Sequence, residues 1–234
     1  KLKFWTDKPI CPDTEGSQLR TGVLKDSQCN LEQGSIIKFC SYNNKINSNS
    51  IPLNIEKLDQ VLCNGDLLRI DFNSALVQVI KTQNNIIEAR VIRGGKIGTN
   101  KGIGLDRLID LPSITYKDTQ IIKIAKKLKL DTFFLSFCSN ENDVKSLRNL
   151  IDYPINIISK IESKDGLNNL GSICNASEGI LIDRGDLSRE VSLTKIAFAQ
   201  SYIIDYAKKT NTPAYVATNL VESMVEQFEP NRSE

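Results

Sequence analysis

The chain has 234 residues, 40% hydrophobic and 25% charged, with 30 Lys plus Arg against 28 Asp plus Glu and a formal net charge of +2. That length holds one large or two small domains with a substantial core, and so mild a charge balance gives no argument for nucleic acid or an anionic membrane as partner. Histidine is absent, which removes Ser-His-Asp and Cys-His nucleophile activation and His-based zinc or iron sites. Any chemistry falls to Lys, Arg, Asp, Glu, Ser or Thr, a kit that suits phosphate or oxyanion substrates with a hard cation held by carboxylates.

Six cysteines (Cys11, Cys29, Cys40, Cys63, Cys138, Cys174) are scattered without a C-x-x-C pair. Reduced thiols in a cytoplasmic setting fit this, and an even count leaves disulfides in a secreted chain open. No apolar run reaches the length of a membrane span, and no signal peptide is read at the start. The first residue is Lys1, so the chain is expected to begin inside a longer protein or after processing.

Residues 9–22, PICPDTEGSQLRTG, read as a short strand, a polar loop and a second extended segment, with Asp13, Thr14 and Arg20 as the polar groups to follow. A solvated turn accounts for them on local grounds. From Leu24 to about Gly104, short apolar stretches (SIIKFC, QVLCN, DLLRIDF, ALVQVI, IIEARVI) are broken every ten residues or so by Asn, Gly, Ser or Asp. This spacing predicts a small antiparallel β barrel or sandwich, with 41–50 as a surface loop. The exit, RGGKIGTNKGIG, is either a phosphate-wrapping loop using Lys96 or Lys101 or a flexible hinge.

After Asp110 the pattern alternates between helix and strand. KDTQIIKIAKKLKL is predicted helical with Ile121, Ile122, Ile124, Ala125 and Leu128 on its apolar stripe. TFFLSF is a strand, ENDVKSLRNLI a helix capped by Asn140, and INIISKIE the next strand. SKDGLNNLGSICN carries a helix, EGILIDRGD a strand, Ser192 to Lys209 a long helix with Ile196, Ala199, Ile203 and Ala207 inward, and TPAYVAT the last strand. Such alternation gives a parallel sheet or (β/α) barrel whose site lies at the C-terminal strand ends.

Those ends carry Ser136, Lys160, Glu162, Arg184, Asp186 and Thr218. Within INIISKIE, Ile158, Lys160 and Glu162 share one face and Ile157, Ser159 and Ile161 the other. A bare K-x-E is satisfied as a strand-end ion pair. Taken with the neighbouring strand ends, Glu162 and Asp186 supply the minimum carboxylate pair for Mg²⁺, and Lys160 offers a cation to charge developing on a transferring phosphoryl group.

The runs PDTEGSQLRTG, SKIESKDGLNNL, EGILIDRGDLSREV and VATNLVESM resemble pyruvate kinase, in that family's chain order, and KGIGLDRLIDLPSITYKD resembles its exit from the lid domain. The resemblance implies an α/β fold of (β/α)8 TIM-barrel type, incomplete here, with an inserted small all-β domain. Barrel strands three to seven would occupy 1–23 and 105–234, and the lid 24–104. It implies phosphotransfer between phosphoenolpyruvate and ADP, giving pyruvate and ATP in glycolysis, with Mg²⁺ (or Mn²⁺) and K⁺, in the cytoplasm, by a homo-oligomer with no nucleic acid or membrane partner.

By the same resemblance, Lys160 stabilises the phosphoryl group in flight, and Glu162 and Asp186 are the Mg²⁺ ligands. Thr218 lies at the substrate pocket and helps protonate the enolate. Asp13 and Thr14 contribute to the K⁺ site, and Arg20 is a phosphate-side arginine. Backbone N–H groups at Gly185 and Asp186 receive the substrate carboxylate, and Lys101 approaches nucleotide phosphates, with Asp71 as a lid aspartate.

The sequence departs from the family pattern at Glu15 (for Lys), Ser17 (for Pro), Ser139 (for Arg) and Ser188 (for Gly), with ATNL for ATQM and GLD for NLP. Barrel strands one, two and eight and the C-terminal domain have no counterpart, so the chain is expected to be an excerpt, inactive alone or in need of a partner segment. Two other functions stay open: a relative acting on another enolate-forming acid, such as an oxaloacetate decarboxylase or aldolase, and a degenerate regulatory module without catalysis.

Overall fold

The computed structural model describes residues 5–16, 18–42, 50–71, 74–107, 109, 111–218 and 220–229. The expected surface loop at 41–50 therefore falls mostly outside the described residues (43–49), as does Ser17. The chain divides into two compact units, 1–17 with 112–234, and 18–111.

The unit at 18–111 is built from β1 (Gln28–Leu31), β2 (Ile36–Ser41), β3 (Ser50–Leu53), a helical turn α1 (Leu58–Val61), β4 (Leu67–Ile70), β5 (Ala75–Gln83), β6 (Ile86–Arg93), β7 (Gly95–Gly98) and β8 (Ile103–Leu105). Six strands pair in the order β3-β2-β6-β5-β4-β8, and β1 pairs with β7. All pairings are antiparallel except β2 with β3. Period-two alternation puts Ala75, Val77 and Val79 of β5 and Ile87, Ala89 and Val91 of β6 into one core with Phe39, Leu53, Leu68 and Ile70. The β5–β6 turn places Asn84 and Asn85 both at positive φ (51° and 60°), the left-handed pair a two-residue hairpin needs and Asn tolerates.

This unit is wider than the expected 24–104. Arg20 bridges Gly102 and Thr21 bridges Leu53, which ties residues before 24 into the sheet. At the other end, Arg107 Nε donates to Asp66 Oδ1 at 2.7 Å. Two local expectations also change. QVLCN is not a strand: Leu58–Val61 makes a helical turn, and its Leu58 N–H is taken by the Asn85 side chain. The Gly/Lys-rich exit is neither a loop nor a hinge through most of its length, because it supplies β7 and β8. Its glycines serve close packing: a Cβ on Gly94 or Gly95 would strike the carbonyl of Leu31 or Ser74.

The second unit runs α2 (Tyr116–Leu128), β9 (Thr132–Leu135), α3 (Glu141–Asn149), β10 (Asn156–Ile161), α4 (Lys164–Asn168), α5 (Leu170–Ala176), β11 (Gly179–Asp183), α6 (Arg184–Leu187), α7 (Leu193–Lys209) and β12 (Ala214–Ala217). Its strands are all parallel, in the order β12-β11-β10-β9, and Asp13 adds a parallel bridge to Phe134. Helices alternate with parallel strands, so this is an arc of a (β/α)8 TIM-type barrel, incomplete among the described residues, and the chain as a whole is α/β with an all-β insert.

Capping sets the helix starts. Thr115 and Asp118 form a capping box for α2, and Asn140 and Asp143 one for α3. The apolar stripe of α7 (Ile196, Ala199, Ile203, Ala207) is buried against Ile180 and Ile182 of the sheet within one hydrophobic core. On α2 the stripe is narrower than expected. Ile122 and Ala125 are buried, but Ile124 stands 59% exposed, because a two-residue step from Ile122 carries its side chain about 200° round the helix, and Leu128, in the last turn, is 42% exposed. SKDGLNNLGSICN makes two helices instead of one, broken at Asn169 (φ −101°, ψ 17°). EGILIDRGD stops being a strand at Asp183, and RGDL turns helical.

All six thiols are free, with Cys40, Cys138 and Cys174 buried as small core groups. No described helix is long and apolar enough to cross a membrane.

Candidate active site

The polar end of the parallel sheet begins at Ser136 and Phe137, the turn that follows β9. Phe137 sits at φ 51°, a conformation that costs a bulky side chain of order 1–3 kcal/mol and persists where the surroundings impose it. Its N–H points at Glu162 Oε2, 2.6 Å away. Glu162 is 1% exposed, and its other oxygen, Oε1, has no hydrogen bond; it lies 3.1 Å from the Lys160 ammonium. Lys160 Nζ also reaches Asp13 Oδ2 at 3.3 Å and Ser136 Oγ at 3.2 Å.

Electrostatics divide these groups. Burial is the largest influence on Glu162 and pushes its carboxyl up to about 7, against the opposing pull of Lys160 and the Phe137 N–H, while the Asp186 carboxylate adds to the rise. Burial would lower Lys160, but the charges of Glu162 and Asp13 outweigh it and hold the ammonium above its ordinary value. Lys160 is therefore a permanent cation at neutral pH.

Just past β10 and across the junction of β11 with α6, Glu162, Asp183 and Asp186 each offer a carboxylate oxygen, all within 4.8 Å of one another. Asp183 ends β11 and caps α6, accepting the Asp186 N–H at 3.2 Å. Thr218, just past β12, donates its hydroxyl to Asp183 Oδ1 at 2.9 Å and accepts the Gly185 N–H at 3.0 Å. Its φ of 64° is unusual for a β-branched residue. Asp186 Oδ1 pairs with Arg189 Nη2 at 2.9 Å.

The structure thus brings together Lys160, Glu162, Asp13 and Ser136 on one side, and Glu162, Asp183, Asp186, Gly185 and Thr218 on the other, with Glu162 common to both. The N–H groups of Gly185 and Asp186 are engaged by Thr218 and Asp183, so an incoming carboxylate would have to take over those bonds. Thr14 is buried, its Oγ1 accepts the Ser136 N–H at 2.9 Å, and its carbonyl accepts the Ser136 hydroxyl at 2.7 Å. The oxygens of Asp13 and Thr14, expected to serve K⁺, are shared here with Lys160 and Ser136.

Arg20 and Lys101 belong to the β unit. Arg20 Nη1 donates to the Asn100 carbonyl at 3.3 Å, and its Nε is buried without a hydrogen bond among the described residues. Lys101 Nζ lies 3.5 Å from Asp71 Oδ1. Of the departures, Glu15 is held by Lys117 at 2.9 Å, its backbone N–H donating to the buried Asp118. Ser139 donates its N–H to Asp143 at 2.8 Å, and Ser188 Oγ donates to the Gly185 carbonyl at 2.7 Å.

Sequence reasoning missed Asp183. Its signal was an acid three residues before Asp186 at a strand-to-helix junction, an N-cap spacing. The Phe137 N–H has no side-chain signature at all. For a divalent cation the donor set fits: three carboxylates of hard oxygen character, one of them buried with an oxygen that no backbone N–H or hydroxyl reaches.

Comparison with known proteins places the chain among relatives. The family model described as pyruvate kinase, barrel domain, matches residues 3–234. The chain is 31% identical over 229 residues to a pyruvate kinase of Thermotoga maritima, covering 96% of this chain and 49% of that protein. It is 29% identical over 235 residues to pyruvate kinase PKLR of Homo sapiens, covering 96% and 41%. A crystal structure of Cryptosporidium parvum pyruvate kinase superposes with a TM-score of 0.84 at 33% identity, covering 96% of this chain and 49% of that one. The chain spans about half the length, or less, of these relatives.

Proposed function

We propose a function from one premise, that the chain belongs to the pyruvate kinase family: it provides the phosphoryl-transfer site of an enzyme that converts phosphoenolpyruvate and ADP to pyruvate and ATP in glycolysis. The observation that carries this reading is the Lys160 ammonium, 12% exposed as a side chain and 3.1 Å from Glu162, beside a three-carboxylate cluster. Phosphoryl transfer asks a protein for positioning and charge more than for covalent chemistry.

In this reading Lys160 meets the negative charge spread over the phosphoryl oxygens as they pass between donor and acceptor. Its partners Asp13, Ser136 and Glu162 fix the ammonium before substrate arrives, so little reorganisation is left for the reaction itself. Thr218 holds a hydroxyl at the substrate pocket, where it serves protonation of the enolate. Gly185 and Asp186 offer N–H groups to the substrate carboxylate, in exchange for Thr218 and Asp183. Glu162 and Asp186 would hold Mg²⁺ (or Mn²⁺), which when bound supplies Lewis-acid charge for the enolate and phosphoryl oxygens. Asp13 and Thr14 contribute oxygens toward K⁺. Arg20 and Lys101 are assigned to phosphate oxygens, of substrate and nucleotide respectively, with Asp71 as the partner of Lys101. The proposal places the protein in the cytoplasm as a homo-oligomer.

The test is a lactate dehydrogenase-coupled assay on the whole protein, beside Lys160→Met. Losing one preorganised charge-stabilising group costs about 10²–10³ in kcat. A variant that keeps wild-type turnover removes Lys160 from the chemistry. Oxaloacetate decarboxylation without nucleotide, in place of the coupled reaction, moves the site to another enolate-forming substrate.

A further inference from the structure

We propose that Asp183 is a third carboxylate of the divalent-cation site, beside Glu162 and Asp186, in addition to capping α6. The inference rests on the proposed reading of that site and adds a residue to it.

Three observations carry it. The first is distance: one oxygen from each acid lies within 4.8 Å of the others. An octahedral hard cation at about 2.0–2.1 Å from its ligands holds them about 2.9 Å apart when adjacent and about 4.2 Å apart when opposite. Shifts of about an ångström or less would therefore close the three oxygens round one ion.

The second is how Asp183 spends its oxygens. The Asp186 N–H and the Thr218 hydroxyl both end on Oδ1. A cap needs one acceptor oxygen, and Oδ1 meets that need, which leaves Oδ2 without a hydrogen bond among the described residues.

The third comes from outside Asp183. Glu162 is 1% exposed and its Oε1 lacks a hydrogen bond. A buried carboxylate oxygen that no backbone N–H or hydroxyl reaches calls for a positive charge. Lys160 stands 3.1 Å away but is shared with Asp13 at 3.3 Å, and Arg189 is committed to Asp186. Lys160 is thus divided between two acids, and a divalent ion would add positive charge beside Glu162, Asp183 and Asp186. With three protein carboxylates in place, fewer positions are left to water and substrate, and the ion is held more firmly than by two.

The experiment titrates Mn²⁺ into the nucleotide-free protein by calorimetry and by electron paramagnetic resonance of free Mn²⁺. Asp183→Asn keeps an acceptor oxygen for the Asp186 N–H and the Thr218 hydroxyl but removes the charge, and Asp183→Ser keeps the cap alone, serving if the first variant folds poorly. Loss of the third carboxylate weakens Mn²⁺ binding by about tenfold or more, with the melting temperature of the metal-free protein unchanged. A dissociation constant within about twofold of the unsubstituted protein, in whichever variant folds, overturns the assignment and leaves Asp183 a cap. Glu162→Gln and Asp186→Asn separate the two readings: if they abolish binding while Asp183→Asn does not, only this inference fails. If the unsubstituted protein shows no saturable Mn²⁺ binding, the phosphotransfer reading of the site fails with it.

Discussion

The N–H of Phe137 donates to Glu162 Oε2 at 2.6 Å from a left-handed backbone position. One strand end thereby holds the buried acid of the next strand. The same burial has a pH consequence. A carboxyl whose folded value is raised from 4.5 to about 7 binds its proton more tightly in the folded state. Its contribution to stability is full below about 4.5 and is lost as pH climbs through about 7. In EDTA, unfolding free energy should fall over that window by an amount of order 1–3 kcal/mol, and Glu162→Gln should flatten the fall. Denaturant titrations at pH 5 and pH 7.5 check it; an unchanged slope in the variant assigns the pH dependence to other groups.

Gly16 occupies φ 72°, and a Cβ there would lie 2.6 Å from the Ser136 carbonyl oxygen. Gly16→Ala is therefore expected to cost about 1–3 kcal/mol through backbone strain and to shift Ser136, which holds Lys160 at 3.2 Å. Urea unfolding gives the first effect. A drop in coupled-assay kcat larger than any change in KM gives the second.

In the β unit, Arg107 grips Asp66 with Nε at 2.7 Å and Nη2 at 2.8 Å. Desolvation of Asp66 opposes its ionisation, but the Arg107 bonds and the Cys63 N–H prevail and hold the carboxyl below its ordinary value. The pair contributes stability above the ordinary carboxylate range that is lost as pH falls through the lowered value. Arg107 is 40% exposed as a side chain, so solvent screening limits the effect, and Arg107→Ala should cost on the order of 1 kcal/mol at pH 7 and less at pH 3. Equal losses at both pH values would contradict the electrostatic account.

Cysteine reactivity should follow burial. Cys138 is buried and its thiol is pushed up to about 12, chiefly by desolvation, which removes the thiolate needed for attack. Cys63 is exposed. Brief alkylation of the native protein, read by mass spectrometry, should label Cys63 and spare Cys138, Cys40 and Cys174. Label on Cys138 before unfolding would mean that its core opens locally.

Glu15 and Lys117 form an ion pair 2.9 Å apart. A double-mutant cycle of Glu15→Lys and Lys117→Glu should recover about 0.2–1 kcal/mol in the double variant. The small size follows from Lys117 being 63% exposed as a side chain. No coupling would mean that the pair is incidental to the loop.

Elements with strong periodicity were legible in the sequence. The α7 stripe and the Asn140 cap follow from side-chain spacing and hydrogen-bond chemistry, and the structure buries or caps each of them. Lys160, Glu162, Asp186 and Thr218 could be placed at strand ends because parallel strands alternating with helices gather their C-terminal ends. The losses have physical causes. Ile124 and Leu128 are apolar like their neighbours, and only the rotation of the packed helix decides which of them is buried. The turn at Leu58–Val61 is set by a distant Asn85 contact, which a local window does not contain. Asp183 was hidden as the ordinary last residue of a strand.

Lys160 and Glu162 stand two residues apart at the end of one strand, while Asp183 and Asp186 arrive on a separate capped turn. The pleat of β10 sets the spacing of the first pair, and no repacking of helices can alter it much. Asp183 closes β11 in register with Ala217, and only Asp186 is carried on α6. A change in the short RGDL turn would therefore shift the Asp186 carboxylate while leaving the Lys160 ammonium where it is.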